Sequence, residues 1–284
     1  MPTEKREMFS QEEWARVSAK LTIEMKSFVE RFATPISMSQ EQGSGVAWGS
    51  GSYMVDGGGL VWLLTADHVY TDIPEGGVLA HLPVDGGDYV KVLVTPLEAP
   101  QPVDAAAFLV PKITNVPHPD HNRLLPINFF DTTFDVVERE VVFWSGFPGY
   151  FGNRDDIALE SRLKVTLFGQ LTSDRYPMLS QLPQDGPPVT HELFNPALHV
   201  AVHYPSEGRN AEDGKIIPLP LAKGMSGSLL WDTKFVRAKL NKEEWHPEMA
   251  RVCGIIWGVL DDPKVILVTK IEHVRSKLSA IFGD

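Results

Sequence analysis

The chain has 284 residues, of which 43% are apolar and 22% charged, and it carries a formal net charge of −11 with a single cysteine. This composition is typical of a globular protein with a sizeable core; the acidic balance argues against a nucleic-acid partner, and the lack of an apolar run of about 18 residues argues against a membrane span. The lone Cys253 excludes an intrachain disulfide, and together with an N-terminus that has no secretory signal pattern it predicts a cytoplasmic location.

The first predicted element is an amphipathic helix. Ser10-Gln-Glu-Glu13 has the form of a capping box, and apolar residues then recur at spacings of three and four from Trp14 to Phe32. The helix is expected to end before Thr34-Pro35, because the residue that precedes a proline is disfavoured in the α region. Its apolar face is expected to pack on the body of the chain, and the alternative is contact with another copy or a partner protein.

Short strand-like runs separated by Gly and Pro turns follow from Gly43 onward. A hairpin is predicted around the turn Asp56-Gly-Gly-Gly59, and a helix over 271–281. The remaining strands are predicted at 77–82, 89–95, 105–110, 140–145, 164–171, 198–204, 228–231, 251–260 and 265–269. This pattern favours antiparallel barrels or sandwiches, with the Pro-rich segment 111–126 as the linker between two β domains. The irregular segment 177–196 is longer than an ordinary loop.

Three separated residues could carry chemistry. Ser226 lies in a turn of small residues, Gly224-Met-Ser-Gly-Ser228, in which the N–H groups of Gly224 and Ser226 could both face one oxyanion. His68 follows a buried-looking strand, and Asp104 stands at the entry to another. Each of them alone has an ordinary structural explanation as a turn, strand-end or capping residue. In chain order they form a His…Asp…Ser series.

These motifs resemble those of the trypsin/chymotrypsin-like serine peptidases, and most of all their disulfide-free bacterial branch. Thr65-Ala-Asp-His68 resembles the family's Thr-Ala-x-His motif, Asp104-Ala-Ala-Ala-Phe-Leu109 the strand that carries its acid, and Gly224-Met-Ser-Gly-Ser228 its Gly-x-Ser-Gly-Gly nucleophile loop. Cys253-Gly-Ile-Ile-Trp-Gly258 is similar to the strand that lines the substrate backbone, and Ser145-Gly-Phe-Pro-Gly149 to a turn early in the second barrel. The resemblance covers about residues 43–281.

The resemblance implies an all-β fold of two six-stranded antiparallel β-barrels with an N-terminal amphipathic helix and a C-terminal helix. Residues 1–40 would form the helical extension, 41–120 the barrel with His68 and Asp104, and 121–284 the barrel with Ser226 and an insertion at about 172–215. It also implies peptide-bond hydrolysis through an acyl-enzyme on Ser226, with His68 as general base and acid, Asp104 orienting His68, and Gly224 and Ser226 N–H groups binding the oxyanion. This chemistry implies no metal and no cofactor.

Two positions depart from the family's pattern, because Ser228 stands where glycine is usual and Met225 where Asn or Asp is common. By analogy, the substrate pocket would be lined by Leu219, Pro220, Leu221, Ala222, Ile256, Trp257 and Gly258. None of these residues is acidic, so an apolar residue on the acyl side of the cut is expected rather than Lys or Arg.

Two other functions are open at this point. The fold could serve as a catalytically silent binding or scaffold module, although the intact His…Asp…Ser series argues against this. The chain could also be an α/β-hydrolase esterase that uses Ser226, Asp261 or Asp262, and His273, although Ser228 breaks the Gly-x-Ser-x-Gly elbow. The pairs His118/His121 and His199/His203 have spacings that a metal site can use, but packing or solvent roles are expected for them.

Overall fold

A computed structural model of the chain describes residues 11–41, 44–83, 90–92, 94–112, 118–137, 140–148, 165–170, 191–204, 206–209, 215–219, 222–261 and 264–283. The helices are α1 Gln11–Val29, α2 His68–Thr71, α3 Phe235–Asn241, α4 Ile271–Lys277 and α5 Ser279–Phe282. The strands are β1 Ala33–Glu41, β2 Ser44–Val55, β3 Val61–Thr65, β4 Val78–His81, β5 Val90–Lys91, β6 Leu97–Ala99, β7 Ala105–Leu109, β8 Leu125–Pro126, β9 Val141–Gly146, β10 Val165–Gln170, β11 His199–His203, β12 Glu207–Arg209, β13 Ile216–Pro218, β14 Leu229–Asp232, β15 Arg251–Asp261 and β16 Lys264–Lys270.

The strands form two sheets and a short ribbon. The first sheet has the order β5-β4-β1-β2-β3-β7-β6 with β8 added beside β2, the second has the order β10-β9-β14-β15-β16-β11, and β12 pairs with β13. The predicted all-β class with flanking helices is therefore confirmed. The closure of each sheet into a six-stranded barrel stays a prediction, since the first sheet has eight strands and its end strands β5 and β6 do not pair among the described residues.

The strand pairing also decides one alternative. Apart from the short parallel pair β2–β8 and the parallel bridge between Phe130 and Val252, the described pairings are antiparallel. The turn that contains Ser226 leads into strand β14, whereas the nucleophile elbow of an α/β hydrolase leads into a helix. The esterase alternative with Ser226, Asp261 or Asp262, and His273 is therefore wrong.

The two sheets share an apolar cluster that α1 covers. Leu21, Met25 and Phe28 of α1 are buried in a cluster that also takes side chains from both sheets. The Phe28 ring lies 6.0 Å from the ring of Trp231 in β14. The expectation that the amphipathic helix packs on the body of the chain is confirmed. Burial of its apolar face supplies stabilisation that the helix would lack on its own.

The first sheet begins earlier and ends later than its predicted limits. β1 starts at Ala33 and includes Pro35, although a proline was expected only to end the helix. Pro35 is tolerated because the pairing of β1 with β4 begins one residue later, at Ile36 opposite His81. β8 lies inside the predicted linker 111–126 and pairs with β2. The division of the chain into domains at residues 40 and 120 stays a prediction.

Two helical segments differ from expectation. The C-terminal helix is divided into α4 and α5 at Leu278, whose φ of −102° and ψ of 35° leave the helical region. α3 lies in a charged segment that was expected to be a solvated loop. Among the described residues, no helix combines the length and apolar character needed to cross a membrane.

Candidate active site

His68 and Asp104 meet at one edge of the first sheet. β3 ends at Thr65, three residues before His68, and β7 begins at Ala105, and these two strands are antiparallel neighbours. The Asp104 carboxylate therefore reaches His68 twice: its Oδ2 lies 2.8 Å from the ring Nδ1, and its Oδ1 accepts the backbone N–H of His68 at 2.9 Å. The Asp104 side chain is fully buried, whereas 30% of the His68 side chain remains exposed. The sequence prediction that this pair would meet agrees with this geometry.

The loop before Asp104 is held by the side chains of Gln101, Thr269 and His199. Gln101 Nε2 donates a hydrogen bond to Asp104 Oδ2. Thr269 Oγ1 of the second sheet donates to Val103 O at 2.6 Å, and His199 Nε2 lies 2.6 Å from Pro102 O. Asn195 donates its N–H to His199 Nδ1, so the proton of a neutral His199 ring lies on Nε2. His199 thus has the packing role expected for it, and the added finding is that it anchors this loop.

Asp104 itself has an unusual backbone conformation. Its φ of +52° lies in the left-handed region, which non-glycine residues seldom occupy, although aspartate enters it more readily than most. Such a residue persists only when surrounding contacts hold it, and here its carboxylate bonds and the anchored loop supply them.

The charges around His68 favour its protonated form. Burial alone would lower the pKa of His68, but the hydrogen bond and charge of Asp104, with the charges of Asp72 and Asp67, raise it above its ordinary value. Burial, together with the charges of Asp104 and Glu98, raises the pKa of the neighbouring Asp67 carboxyl to about 6, although the charge of His68 opposes this rise. Asp67 Oδ1 is buried and has no hydrogen-bond partner among the described residues. A developing imidazolium at His68 would therefore be stabilised by carboxylates.

The turn that carries Ser226 is pressed against the end of β3. Ser226 O accepts the backbone N–H of Ser50 in β2 at 2.8 Å. Gly227 has a φ of +89°, and a Cβ placed on it would lie 2.0 Å from Ser50 O, 2.2 Å from Thr65 Oγ1 and 3.1 Å from Ala66 N. Only glycine fits so close an approach. Ser226 is thus brought to the region of His68 by the backbone of its own turn.

The hydroxyl of Ser226 is not bonded to His68. Ser226 Oγ makes one long hydrogen bond, of 3.5 Å, to Trp257 O, and no hydrogen bond joins Ser226 Oγ to the His68 ring among the residues that the structure describes. Proton transfer between Ser226 Oγ and the His68 ring would therefore require one of these side chains to rearrange.

Two N–H groups of the turn remain available. The N–H groups of Met225, Gly227 and Ser228 donate to the carbonyl oxygens of Ala222, Ile256 and Met225, respectively. Within the described part of the chain, the N–H groups of Gly224 and Ser226 have no such acceptor. These are the two groups that the sequence predicted to bind an oxyanion.

Part of the predicted substrate pocket lies within the described residues. Ala222 and Ile256 are buried in one apolar cluster with Met225, while Gly258 is half-buried. The pairing of β15 with β16 shifts register at Trp257, which makes Trp257 a bulged residue beside Ser226. The ring centroids of Trp257 and His199 are 5.0 Å apart. Pro220, Leu221, Gly149 and most of the predicted insertion at 172–215 lie outside the described residues.

Two further features bear on ligands. Across the described ranges, no group of three or more His, Cys, Asp or Glu side chains is arranged to hold a metal ion. An open depression of about 510 Å³ lies beside the Asp104 loop and is lined by Gln101, Pro102 and residues 192–196.

The chain was compared with known proteins. No protein-family model and no curated protein matches it. Solved structures to which it is similar include the serine endoprotease from Yersinia pestis, with 14% identity and a TM-score of 0.48 over 93% of this chain and 67% of that one. They also include Rv3671c from M. tuberculosis, whose inactive mutant form has 13% identity and a TM-score of 0.48 over 93% of both chains. The active form of that protease has 14% identity and a TM-score of 0.46 over 93% of this chain and 86% of that one. At these identities and TM-scores, the matches assign neither a family nor a function to this chain.

Proposed function

We propose that the protein is a serine endopeptidase that cleaves peptide bonds through an acyl-enzyme on Ser226. The observation that carries this proposal is the buried Asp104 carboxylate bonded to both the ring and the backbone of His68, beside a turn that leaves two N–H groups available next to Ser226. A pairing of this kind orients an imidazole for proton transfer, and a purely structural histidine does not need it.

The chemistry follows from the properties of these groups. A serine hydroxyl is a weak nucleophile, so His68 Nε2 would take its proton as Ser226 Oγ attacks the carbonyl carbon. Asp104, bonded to Nδ1, would keep the proton on that nitrogen and stabilise the imidazolium. The N–H groups of Gly224 and Ser226 would bind the carbonyl oxygen as it becomes negative. His68 would then protonate the leaving amine, and water, activated by the same imidazole, would release the acyl group from Ser226.

An extended peptide suits the surface next to Ser226. β15 pairs with β14 only as far as Ile255, whereas its pairing with β16 continues to Asp261. One edge of the segment from Trp257 onward therefore has no strand neighbour among the described residues. A substrate strand could bond to this edge, which is a common way for proteins to bind extended peptides. The pocket positions expected by analogy include no acidic residue, which supports a preference for an apolar residue on the acyl side of the cut.

Labelling with a fluorophosphonate tests the proposal, because this probe reacts with an activated serine. We expect wild-type protein to be labelled at Ser226, as located by mass spectrometry of the digested adduct. Ser226→Ala and His68→Ala should lose the label. Ser228→Ala is the matched control and should be labelled like wild type, since the buried Ser228 Oγ makes no hydrogen bond in the described part of the chain. A folded wild-type protein that takes no label would favour the silent binding module instead.

A further inference from the structure

Ser50 of β2 occupies a central position between the two sheets. Its side chain is buried, with 1% of the residue exposed, and all of its polar atoms have partners. The backbone N–H and C=O of Ser50 face away from β1. The C=O of Ser50 accepts a hydrogen bond from Thr65 Oγ1 at 2.7 Å, so Ser50 is tied to the end of the strand that leads to His68.

The other bonds of Ser50 reach the second sheet. Its backbone N–H donates to Ser226 O at 2.8 Å, and its Oγ donates to Gly224 O, also at 2.8 Å. The same Oγ accepts the N–H of Phe147, just after β9, at 2.8 Å. The Phe147 bond fixes the hydroxyl so that its single proton is directed to Gly224 O. Ser50 thus satisfies two carbonyl groups of the turn that carries Ser226.

These bonds bear on the N–H groups of the turn. Gly224 is buried and has a φ of +90°, so rotation about its backbone meets little steric resistance. Without the Ser50 hydroxyl, Gly224 O would be a buried acceptor without a donor. The turn would be expected to rotate until that carbonyl found another N–H group, because buried polar groups left unpaired are unfavourable. Gly224 O shares its peptide plane with the N–H of Met225, so any such rotation would break the bond from Met225 N–H to Ala222 O. That bond holds the turn between Gly224 and Ser226, so its loss would let the N–H groups of these two residues move.

We propose that the Ser50 side chain is a positioning residue for oxyanion binding: its hydroxyl holds Gly224 O and thereby keeps the N–H groups of Gly224 and Ser226 directed at the substrate. This inference rests on the proposed peptidase function and deepens it. Ser50 does not touch the reacting atoms and acts through Gly224. It also links strand β2 to the turn that carries Ser226 across 174 residues of sequence.

The test compares Ser50→Ala with Ser52→Ala, a buried serine on the same strand whose hydroxyl makes no hydrogen bond among the described residues. The rate of fluorophosphonate labelling of Ser226 is measured against pH, with the thermal unfolding midpoint as a check of folding. We expect Ser50→Ala to be labelled about 10- to 100-fold more slowly than wild type. This loss is no larger than the loss caused by deleting an oxyanion donor itself, because Ser50 acts through Gly224. The pH at half-maximal rate should stay unchanged, since His68 and Asp104 are untouched. Ser52→Ala should react at the wild-type rate.

The outcomes separate the two proposals. If the wild type is labelled and Ser50→Ala is labelled at the same rate, the role of Ser50 is overturned, whereas the peptidase proposal is unaffected. An equal loss of rate in Ser50→Ala and Ser52→Ala would also overturn the role of Ser50. So would a loss in Ser50→Ala that disappears at a lower temperature at which both variants are fully folded. Wild type that takes no label would refute the function itself. If Ser50→Ala does not fold, Ser50→Cys, which keeps the side-chain shape with a weaker donor, is measured in the same way and should react at an intermediate rate.

Discussion

The Asp104 carboxylate holds His68 at two points, with Oδ2 2.8 Å from the ring Nδ1 and Oδ1 2.9 Å from the backbone nitrogen. The backbone bond fixes the first residue of α2, and the ring bond fixes the orientation and tautomer of the imidazole. One buried side chain therefore sets both where His68 lies and which of its nitrogens faces the solvent side of the site.

Asp104→Asn tests this double contact. An amide cannot reproduce the charge, so the maximal labelling rate of Ser226 should fall by at least about 100-fold. The charge and hydrogen bond of Asp104 raise the pKa of His68. Their loss should therefore move the acid limb of the rate profile to lower pH. Asp72→Asn is the control, since it removes an exposed charge that also raises this pKa; it should shift the limb slightly and keep the maximal rate. An unshifted limb in Asp104→Asn would contradict the assignment.

Asp67→Asn should stabilise the protein at neutral pH but not at acid pH. The pKa of Asp67 is raised to about 6, so the folded state binds its proton more tightly than the unfolded chain does. Stability from this group is present below about pH 4 and is lost as the pH rises through 6. We expect the free energy of unfolding of Asp67→Asn to exceed that of wild type by about 1–2 kcal/mol at pH 7.5. Urea titrations at pH 4 and pH 7.5 check this, and an equal difference at both pH values would count against it.

Gly227→Ala should disrupt the turn that carries Ser226. The new methyl group would meet Ser50 O and Thr65 Oγ1 at distances far inside contact. We expect a loss of roughly 2–4 kcal/mol of stability and no labelling of Ser226. Gly59→Ala is the matched control, because Gly59 has a similar φ of +84° with nothing within 4 Å of its Cβ position. It should cost only the backbone strain, about 1–2 kcal/mol, and be labelled normally. Equal losses in the two variants would show that packing against Ser50 is unimportant.

Thr269→Val should loosen the Asp104 loop while keeping the shape of the buried side chain. It removes the hydrogen bond to Val103 O, so the free energy of unfolding should fall by about 1–2 kcal/mol. The labelling rate should also fall, by at least roughly threefold, because Asp104 would be held less firmly. Thr22→Val is the control. It loses a hydrogen bond to Ser18 O within α1, distant in sequence from His68, Asp104 and Ser226, and should leave the labelling rate unchanged. If Thr269→Val is labelled at the wild-type rate, the hydrogen bond to Val103 O does not contribute to the reactivity of Ser226.

The sequence predicted the elements whose pattern is local. The strand runs that became β3, β7, β9, β14, β15 and β16 are apolar and bounded by turn residues, and the spacing from Trp14 onward predicted α1. β1 was missed because Pro35 reads as a helix stop, and only the register with β4 explains why a proline is accepted there. α3 was missed because its charges suggest a loop. Two of its first N–H groups are capped by the carboxylate of Glu140, which lies 96 residues before Val236 and accepts from Val236 at 2.8 Å and from Arg237 at 3.0 Å.

Only those residues of the candidate site that stand in a local sequence pattern could be predicted. His68, Asp104 and Ser226 stand in short motifs, so their residue types and order drew attention to them. Ser50 and His199 act through contacts with segments far away in sequence, and no local pattern indicates such contacts. The glycines on either side of Ser50 were the one available signal, since they permit the close approach of another backbone.

Digestion of an unbiased peptide library, read out by mass spectrometry, tests the central claim most directly. Wild type and Ser228→Ala are predicted to produce the same new termini, with small or medium apolar residues on the acyl side of each cut. Ser226→Ala and His68→Ala should produce none. A folded wild-type protein that cleaves no peptide, or cleavage that survives in Ser226→Ala, would contradict the claim that these residues form a peptidase site.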